Sequence, residues 1–219
     1  MGYTLEADSI QLSYENRRIL GDVYLKCEVG RIVGLLGRNG SGKSSLLKVI
    51  FGAQTADCKS VRLNGKYCAS PYKVHGLIFM VPQRQFLPNH FRVDWLFQLH
   101  GVLWDEFVHH FPDCSPIINQ KLHESSTGKK RLIEVYLGVM SASRFTFMDE
   151  PFAALDPRSI EKIKELIRGQ LPRKGFLISD QRWEEVWEMS DDLYFLKNGK
   201  AYPRTEVLRL DDWKAYLAI

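Results

Sequence analysis

The 219-residue sequence contains no stretch of about 18 apolar residues, so it predicts no membrane-spanning helix. Its first six residues lack the basic and apolar regions of a secretory signal peptide. The four cysteines are scattered and form no C-x-x-C pair, which argues against a zinc site and favours reduced thiols. The net charge of +4 gives no argument for nucleic acid or anionic lipid as a partner. The sequence has no repeats or low-complexity segments, so we expect one globular domain. Reduced thiols favour a cytoplasmic location.

A glycine-rich segment is the most informative feature of the chain. Residues 37–44 read G-R-N-G-S-G-K-S and fit G-x-x-x-x-G-K-[ST], the phosphate-binding P-loop. They lie between an apolar run typical of a buried strand and a helical pattern, so that unpaired backbone N–H groups point at one spot. Lys43 can reach the β- and γ-phosphates, and the Ser44 hydroxyl can hold Mg²⁺. The alternative is a glycine-rich turn that happens to precede a helix. The predicted nucleotide-binding residues of this segment are Gly37, Asn39, Gly40, Ser41, Gly42, Lys43, Ser44 and Ser45.

Strand and helix patterns alternate along the chain. Apolar or alternating runs predict strands at residues 5–13, 22–27, 31–36, 61–63, 77–81, 144–148, 175–179 and 193–196, and those at 31–36, 77–81 and 144–148 are predicted to be buried. Helical spacing predicts short helices between about 90 and 140, a helix over 159–170, and a last short helix that begins at Asp211 or Asp212. This alternation indicates an α/β fold with a mostly parallel core sheet.

A second motif follows the strand predicted at 144–148. Asp149 stands at the tip of this apolar run, where a carboxylate beside the P-loop can bind the magnesium shell. Glu150 comes next and can orient or deprotonate an attacking water. The alternative for these two residues is a strand that ends in an acidic turn. Together with the P-loop, the pair favours a nucleoside triphosphatase.

From about Leu5 to Tyr202 the chain resembles an ATP-binding cassette (ABC) nucleotide-binding domain. Residues 32–47 are similar to the first phosphate motif of that family, residues 81–83 to its Q-loop, residues 148–151 to its Walker B motif and residues 154–156 to its D-loop. The resemblance implies that Gln83 touches Mg²⁺, that Asp156 crosses a dimer interface and that Tyr14 stacks on adenine. Each also has an ordinary interpretation: Gln83 as a surface residue, Asp156 as a helix N-cap and Tyr14 as a half-buried strand residue.

The resemblance implies a P-loop NTPase fold of the ABC type. Its core sheet is mostly parallel, an antiparallel β subdomain is attached, and a helical subdomain is inserted between the two phosphate motifs. We expect a single domain over 1–219, with the core and the β subdomain at about 1–88 and 141–219 and the helical subdomain at about 89–140. Aromatic residues of this insert can face a partner or fill its core, and they are Trp95, Phe97, Trp104, Phe107 and Phe111.

Two departures from the family pattern affect the expected site. The family signature, Leu-Ser-Gly-Gly-Gln, is matched by residues 125–129, in which Ser126 and Gly128 remain and Thr127 replaces a glycine. Thr127 blocks close phosphate contact if its backbone requires positive φ. Lys129 replaces a neutral or acidic residue of the signature, and its charge can attract phosphate; the alternative for the basic run 129–131 is a solvated helix face. Gln181 occupies the position of the family's switch histidine, where its amide can still donate a hydrogen bond but carries no charge.

The resemblance implies an ATP-binding and ATP-hydrolysing subunit that requires Mg²⁺. It would pair with a second ABC subunit through Ser126, Thr127, Gly128 and Asp156, and drive a separate membrane permease from the cytoplasmic face of a membrane. Lys43, Glu150 and Gln181 are the implied catalytic residues. No direct nucleic-acid contact is expected. The alternatives are a slowly hydrolysing nucleotide switch in an asymmetric pair and a soluble ABC protein outside transport.

Overall fold

Residues 2–15 and 17–208 are described in the computed structural model, and they form two sheets with helices packed around them. The helix predicted from Asp211 or Asp212 lies outside the described residues. The strands are β1 (Thr4–Tyr14), β2 (Arg17–Glu28), β3 (Ile32–Leu36), β4 (Cys58–Leu63), β5 (Lys66–Tyr67), β6 (Ile78–Val81), β7 (Phe145–Asp149), β8 (Gly175–Ser179), β9 (Asp192–Lys197) and β10 (Lys200–Pro203). The α-helices are α1 (Lys43–Phe51), α2 (Val93–Leu99), α3 (Trp104–His110), α4 (Thr127–Met140), α5 (Pro157–Gln170), α6 (Trp183–Met189) and α7 (Arg204–Val207). None of these helices is long and apolar enough to cross a membrane.

The smaller sheet is antiparallel, with the strand order β2-β1-β4-β5. Val23, Leu25 and Cys27 alternate along β2 and are buried, as the sequence pattern predicts. They share a core with α1 and with β3, so this sheet lies against the P-loop helix. Ile19 of β2 lies directly beside Gly42 of the P-loop.

The larger sheet has the order β10-β9-β3-β8-β7-β6, and all its pairs except β10–β9 are parallel. The predicted α/β fold with a mostly parallel core sheet is therefore confirmed. Strands β3, β7 and β8 are buried on both faces, which explains their unbroken apolar sequences. The prediction of a buried strand at 77–81 is wrong for most of β6, because β6 is an edge strand in which only Val81 is fully buried.

The segment between β6 and β7 is helical. It contains α2, α3, two 3₁₀ helices at Pro112–Ile117 and Leu122–Glu124, and α4. Phe97, Phe107 and Phe111 are buried around Tyr136 of α4, so core packing accounts for these three aromatic residues. Trp104 packs on Phe97, whereas Trp95 is 40% exposed and stacks on Phe91.

The C-terminal end of α4 is held by a buried lysine. The Lys174 Nζ donates hydrogen bonds to the carbonyl oxygens of Gly138, Val139 and Ser141 at 3.2, 2.8 and 2.7 Å. A cation at this position satisfies carbonyl groups that the helix leaves unpaired. Lys174 therefore fixes α4 to the segment that leads into β8.

Candidate functional site

The P-loop lies at the carboxyl edge of the larger sheet, between β3 and α1. Gly37 has φ +152°, and a Cβ built on it would lie 2.5 Å from the Leu196 carbonyl oxygen, so that only glycine fits. The helix N-cap is Gly42, which has no side chain to bond the first N–H groups of α1. Those N–H groups remain available to an anion.

Lys43 is buried and folded back over the loop. Its Nζ donates to the carbonyl oxygens of Gly37 at 2.6 Å and of Arg38 at 3.1 Å. Burial lowers the pKa of Lys43, and the nearby carboxylates of Glu150 and Asp149 oppose that shift. The Lys43 ammonium group of the P-loop therefore lies close enough to the predicted acids Asp149 and Glu150 for their charges to affect its pKa.

Asp149 ends β7 and is 1% exposed. Neither of its carboxylate oxygens makes a well-aligned hydrogen bond, although the Ser44 hydroxyl lies close enough to affect its pKa. Burial raises the pKa of Asp149, whereas the nearby Ser44 hydroxyl and the charges of Lys48 and Lys43 lower it. A buried carboxylate left unpaired beside a serine hydroxyl fits a divalent cation, since Mg²⁺ prefers oxygen ligands.

Glu150 and Gln181 meet at the ends of two adjacent strands. The Gln181 Nε2 donates to Glu150 Oε1 at 3.1 Å. The backbone of Glu150 is left-handed, with φ +52°, and its N–H donates to the Ser179 carbonyl oxygen at 2.6 Å. A left-handed glutamate is a local strain that surrounding contacts must hold in place. The structure therefore joins the predicted catalytic acid directly to the residue in the switch position.

A buried ion pair connects α4 to both strand ends, and sequence reasoning missed it. Arg131 is 6% exposed and donates to the carbonyl oxygens of Pro82, Asp149 and Glu150 at 2.8, 2.7 and 2.9 Å. It also contacts Glu134 at 3.4 Å. For Arg131, the solvated helix face expected of the run 129–131 is wrong, because this side chain turns inward to bind loop carbonyls.

Glu134 binds the segment that follows β6. Its Oε1 accepts the backbone N–H groups of Phe86 and Leu87 at 2.8 and 3.1 Å. Glu134 is 1% exposed, so the arginine charge and these two donors compensate its burial. The spacing of three residues between the two charges was the available sequence signal.

A cavity of about 320 Å³ opens beside the P-loop. Its lining includes Gly37 and Asn39 on one side and Asp180, Gln181 and Trp183 on the other. Asp180 and Trp183 were absent from the sequence prediction. For Asp180 the signal was the same as for Asp149, namely an acid that directly follows an apolar strand.

Gln83 and Tyr14 are among the predicted residues that lie outside this cavity lining. Gln83 is exposed on the segment that follows β6. Tyr14 is 51% exposed at the end of β1, and its hydroxyl accepts a hydrogen bond from Gln54 at 2.6 Å. Tyr14 thus fits the half-buried strand residue of the alternative interpretation.

The predicted signature segment caps and begins α4. The Ser126 Oγ accepts the Lys129 N–H at 3.3 Å, and Thr127 is the first helical residue. Because Thr127 has an ordinary helical backbone, the concern about a positive φ does not apply. A Cβ added to Gly128 would lie 2.9 Å from the Ala154 carbonyl oxygen, so the signature segment packs closely on the D-loop.

Asp156 of the D-loop is the N-cap of α5. It accepts the Ser159 N–H at 3.0 Å and the Ser159 hydroxyl at 2.6 Å. These two bonds lower the pKa of Asp156. The side chain is exposed, and the capping interpretation accounts for its contacts within this chain.

Comparison with known proteins agrees with this geometry. A family model described as "ABC transporter" matches residues 20–153. The ribose import ATP-binding protein RbsA of Bacillus subtilis is 27% identical over 226 residues, covering 94% of this chain and 46% of that protein. The lipopolysaccharide export system ATP-binding protein LptB of Haemophilus influenzae is 28% identical over 213 residues, covering 90% of this chain and 88% of that protein.

The chain spans about half the length of the ribose import relative. Among solved structures, an ATP-binding subunit of an ABC transporter superposes with a TM-score of 0.81 over 98% of this chain and 99% of that one. At 22% sequence identity, this likeness concerns the fold alone.

Proposed function

The chain belongs to the ABC transporter family, and from this premise we propose that it binds and hydrolyses ATP as the ATP-binding subunit of a transporter. The observation that carries the proposal is the buried, unpartnered carboxylate of Asp149 at the strand end that also presents Glu150. A protein keeps such a group only where something compensates it, and a magnesium nucleotide on the neighbouring P-loop is the compensation that this site chemistry favours.

The proposed roles divide along the carboxyl edge of the sheet. Lys43 releases the P-loop carbonyls and binds phosphate oxygens together with the backbone N–H groups of residues 37–45. Ser44, Gln83 and Asp149 would hold Mg²⁺, which neutralises phosphate charge when bound. Glu150 orients and deprotonates the attacking water, and Gln181 holds the Glu150 carboxylate through its amide. Tyr14 would stack on the adenine ring.

The proposed partners are a second ABC subunit and an integral membrane permease. Exposed Ser126 and Thr127, with Gly128 behind them, would close over the nucleotide of the second subunit, and Asp156 would lie at the same interface. We propose the subdivision into a core at about 1–88 and 141–219 and a helical subdomain at about 89–140. We further propose that the chain binds the cytoplasmic face of a membrane. We expect no direct contact with nucleic acid. The relatives' names differ in cargo and direction, so we assign neither.

A slowly hydrolysing nucleotide switch is the second candidate. The hydrogen bond from Gln181 to Glu150 favours it, because the Gln181 amide occupies a carboxylate oxygen that would otherwise accept a hydrogen bond from the attacking water. Steady-state ATP turnover of the wild type and of Glu150→Gln separates the two. Turnover that falls by about a hundredfold or more in the variant supports the enzyme. Equal, near-background rates with ATP binding intact support the switch.

The transporter assignment has its own test. Affinity purification of the chain from native membranes, followed by identification of co-purified integral proteins, should recover a polytopic permease. A Glu150→Gln variant loaded with ATP is the appropriate bait, because it keeps nucleotide bound. Recovery of soluble proteins alone would contradict the transporter role while leaving ATP hydrolysis untouched.

A further inference from the structure

Asp180 is a buried carboxylate to which the proposed mechanism assigns no role. It directly follows β8, is 4% exposed, and lines the cavity beside the P-loop. Burial raises its pKa, and hydrogen bonds from backbone N–H groups oppose the shift. A buried acid at this point requires a reason, since an apolar or neutral residue would avoid the desolvation of its charge.

Its two oxygens reach two different loops. Oδ2 accepts the Phe152 N–H at 2.8 Å, and Oδ1 accepts the Arg182 N–H at 2.9 Å. Phe152 lies two residues after Glu150, and Arg182 lies one residue after Gln181. One carboxylate therefore spans the loop that carries the catalytic acid and the loop that carries its hydrogen-bond partner.

Two other bonds join the same loops. The Glu150 N–H donates to the Ser179 carbonyl oxygen at 2.6 Å, and Gln181 Nε2 donates to Glu150 Oε1 at 3.1 Å. Because the backbone of Glu150 is left-handed, it needs neighbours that hold it there. The Asp180 carboxylate adds two bonds to this set, and an ionised carboxylate accepts both N–H groups without offering a competing donor.

We propose that Asp180 is a positioning residue that fixes Gln181 and Glu150 relative to each other for ATP hydrolysis. It acts through the backbone of Phe152 and Arg182 and does not itself touch the reacting atoms. The inference rests on the proposed function and adds to it a residue that sets the geometry of the acid and its partner. Asparagine has the same shape but one fewer acceptor, and its amide would face an N–H donor.

The test compares steady-state ATP turnover of Asp180→Asn with that of Asp191→Asn. Asp191 is the control, because its carboxylate also accepts a backbone N–H, that of Ile32 at 2.8 Å, but it is exposed and lies at the amino ends of the strands of the same sheet. We expect Asp180→Asn to lower kcat by about tenfold to a hundredfold with KM changed by less than about twofold. Asp191→Asn should keep kcat within about threefold of the wild type. Equal kcat values for the two variants would overturn the inference.

A double-mutant cycle with Gln181→Ala separates positioning from general loss of structure. If Asp180 acts by presenting Gln181 to Glu150, Gln181→Ala lowers kcat much less in the Asp180→Asn background than in the wild type. Losses that multiply independently would contradict the inference. If Asp180→Asn does not fold, Asp180→Glu takes its place in the cycle, since it keeps the charge and displaces the oxygens.

The outcome distinguishes this inference from the proposed function. Wild-type turnover that Glu150→Gln abolishes, combined with full activity of Asp180→Asn, refutes the inference and leaves ATP hydrolysis standing. Wild-type turnover that Glu150→Gln leaves unchanged refutes both.

Discussion

Replacing Asp149 with asparagine should have opposite effects on the free protein and on its nucleotide complex. In the free protein the Asp149 carboxylate is buried, and neither oxygen makes a well-aligned hydrogen bond. An unsatisfied buried polar group costs about 1–3 kcal/mol. Asparagine is neutral but still buries an amide, so we expect it to recover about 1 kcal/mol, or about 2–4 °C in Tm for a chain of this size.

Magnesium nucleotide should reverse the order of the two proteins. A ligand present at about 100 times its Kd stabilises the folded state by about 2.7 kcal/mol, which corresponds to about 5–10 °C here. The wild type should gain that shift with MgATP, whereas Asp149→Asn should gain much less because it lacks a charged metal ligand. Thermal unfolding with and without MgATP measures both effects. Asp191→Asn is the control and should lose stability in both conditions, because its carboxylate is hydrogen-bonded.

The pH dependence of the stability difference between wild type and Asp149→Asn should also have a definite direction. Burial raises the pKa of Asp149 above its unfolded value, so the folded protein takes up a proton more readily than the unfolded chain. The wild type is therefore penalised at neutral pH and relieved as pH falls through the raised pKa toward the ordinary aspartate range. The advantage of Asp149→Asn should shrink over that window. A variant that is less stable than the wild type at pH 7, or that keeps the full MgATP shift, would refute the account of Asp149.

Three stability predictions concern buried polar groups away from the nucleotide. Arg131→Met should lower the free energy of unfolding by about 3–5 kcal/mol, since it leaves Glu134 buried without its cation. Glu134→Gln should cost less, because its amide oxygen still accepts backbone N–H groups. A smaller loss for Arg131→Met than for Glu134→Gln would contradict this. Lys174→Met should cost about 2–3 kcal/mol by leaving carbonyl groups at the end of α4 unpaired, and a loss under about 0.5 kcal/mol in urea denaturation would argue against that role. Tyr136→Phe should leave the free energy of unfolding unchanged or raise it by about 1 kcal/mol, because the Tyr136 hydroxyl is buried without a partner. A clear loss of stability would show that the hydroxyl is hydrogen-bonded.

The sequence predicted the fold and the centre of the candidate site because both depend on local patterns. The P-loop is a contiguous motif, and the strand that ends at Asp149 is a continuous apolar run. The order of the strands in the sheet could not be predicted in the same way, because nothing in the local sequence distinguishes an edge strand from a central one. The half-exposed β6 was for that reason mistaken for a buried strand.

The missed residues depend on contacts between distant segments. Arg131 stands in a basic run that is typical of a surface, and it is buried only because the segments after β6 and β7 fold over α4. Lys174 has no local signal at all, because its acceptors lie more than 30 positions earlier in the chain. Asp180 could have been found by the same pattern that identified Asp149.

Equilibrium binding of MgATP tests the central claim most directly. Isothermal titration should compare the wild type with Lys43→Ala and with Lys66→Ala, an exposed lysine of β5. We predict that Lys43→Ala raises Kd by about thirtyfold or more, or about 2 kcal/mol, because a charge-assisted bond to phosphate is lost. Lys66→Ala should change Kd by less than about threefold. Equal Kd values for the two variants, or a wild type that binds no MgATP, would contradict an ATP site at this P-loop.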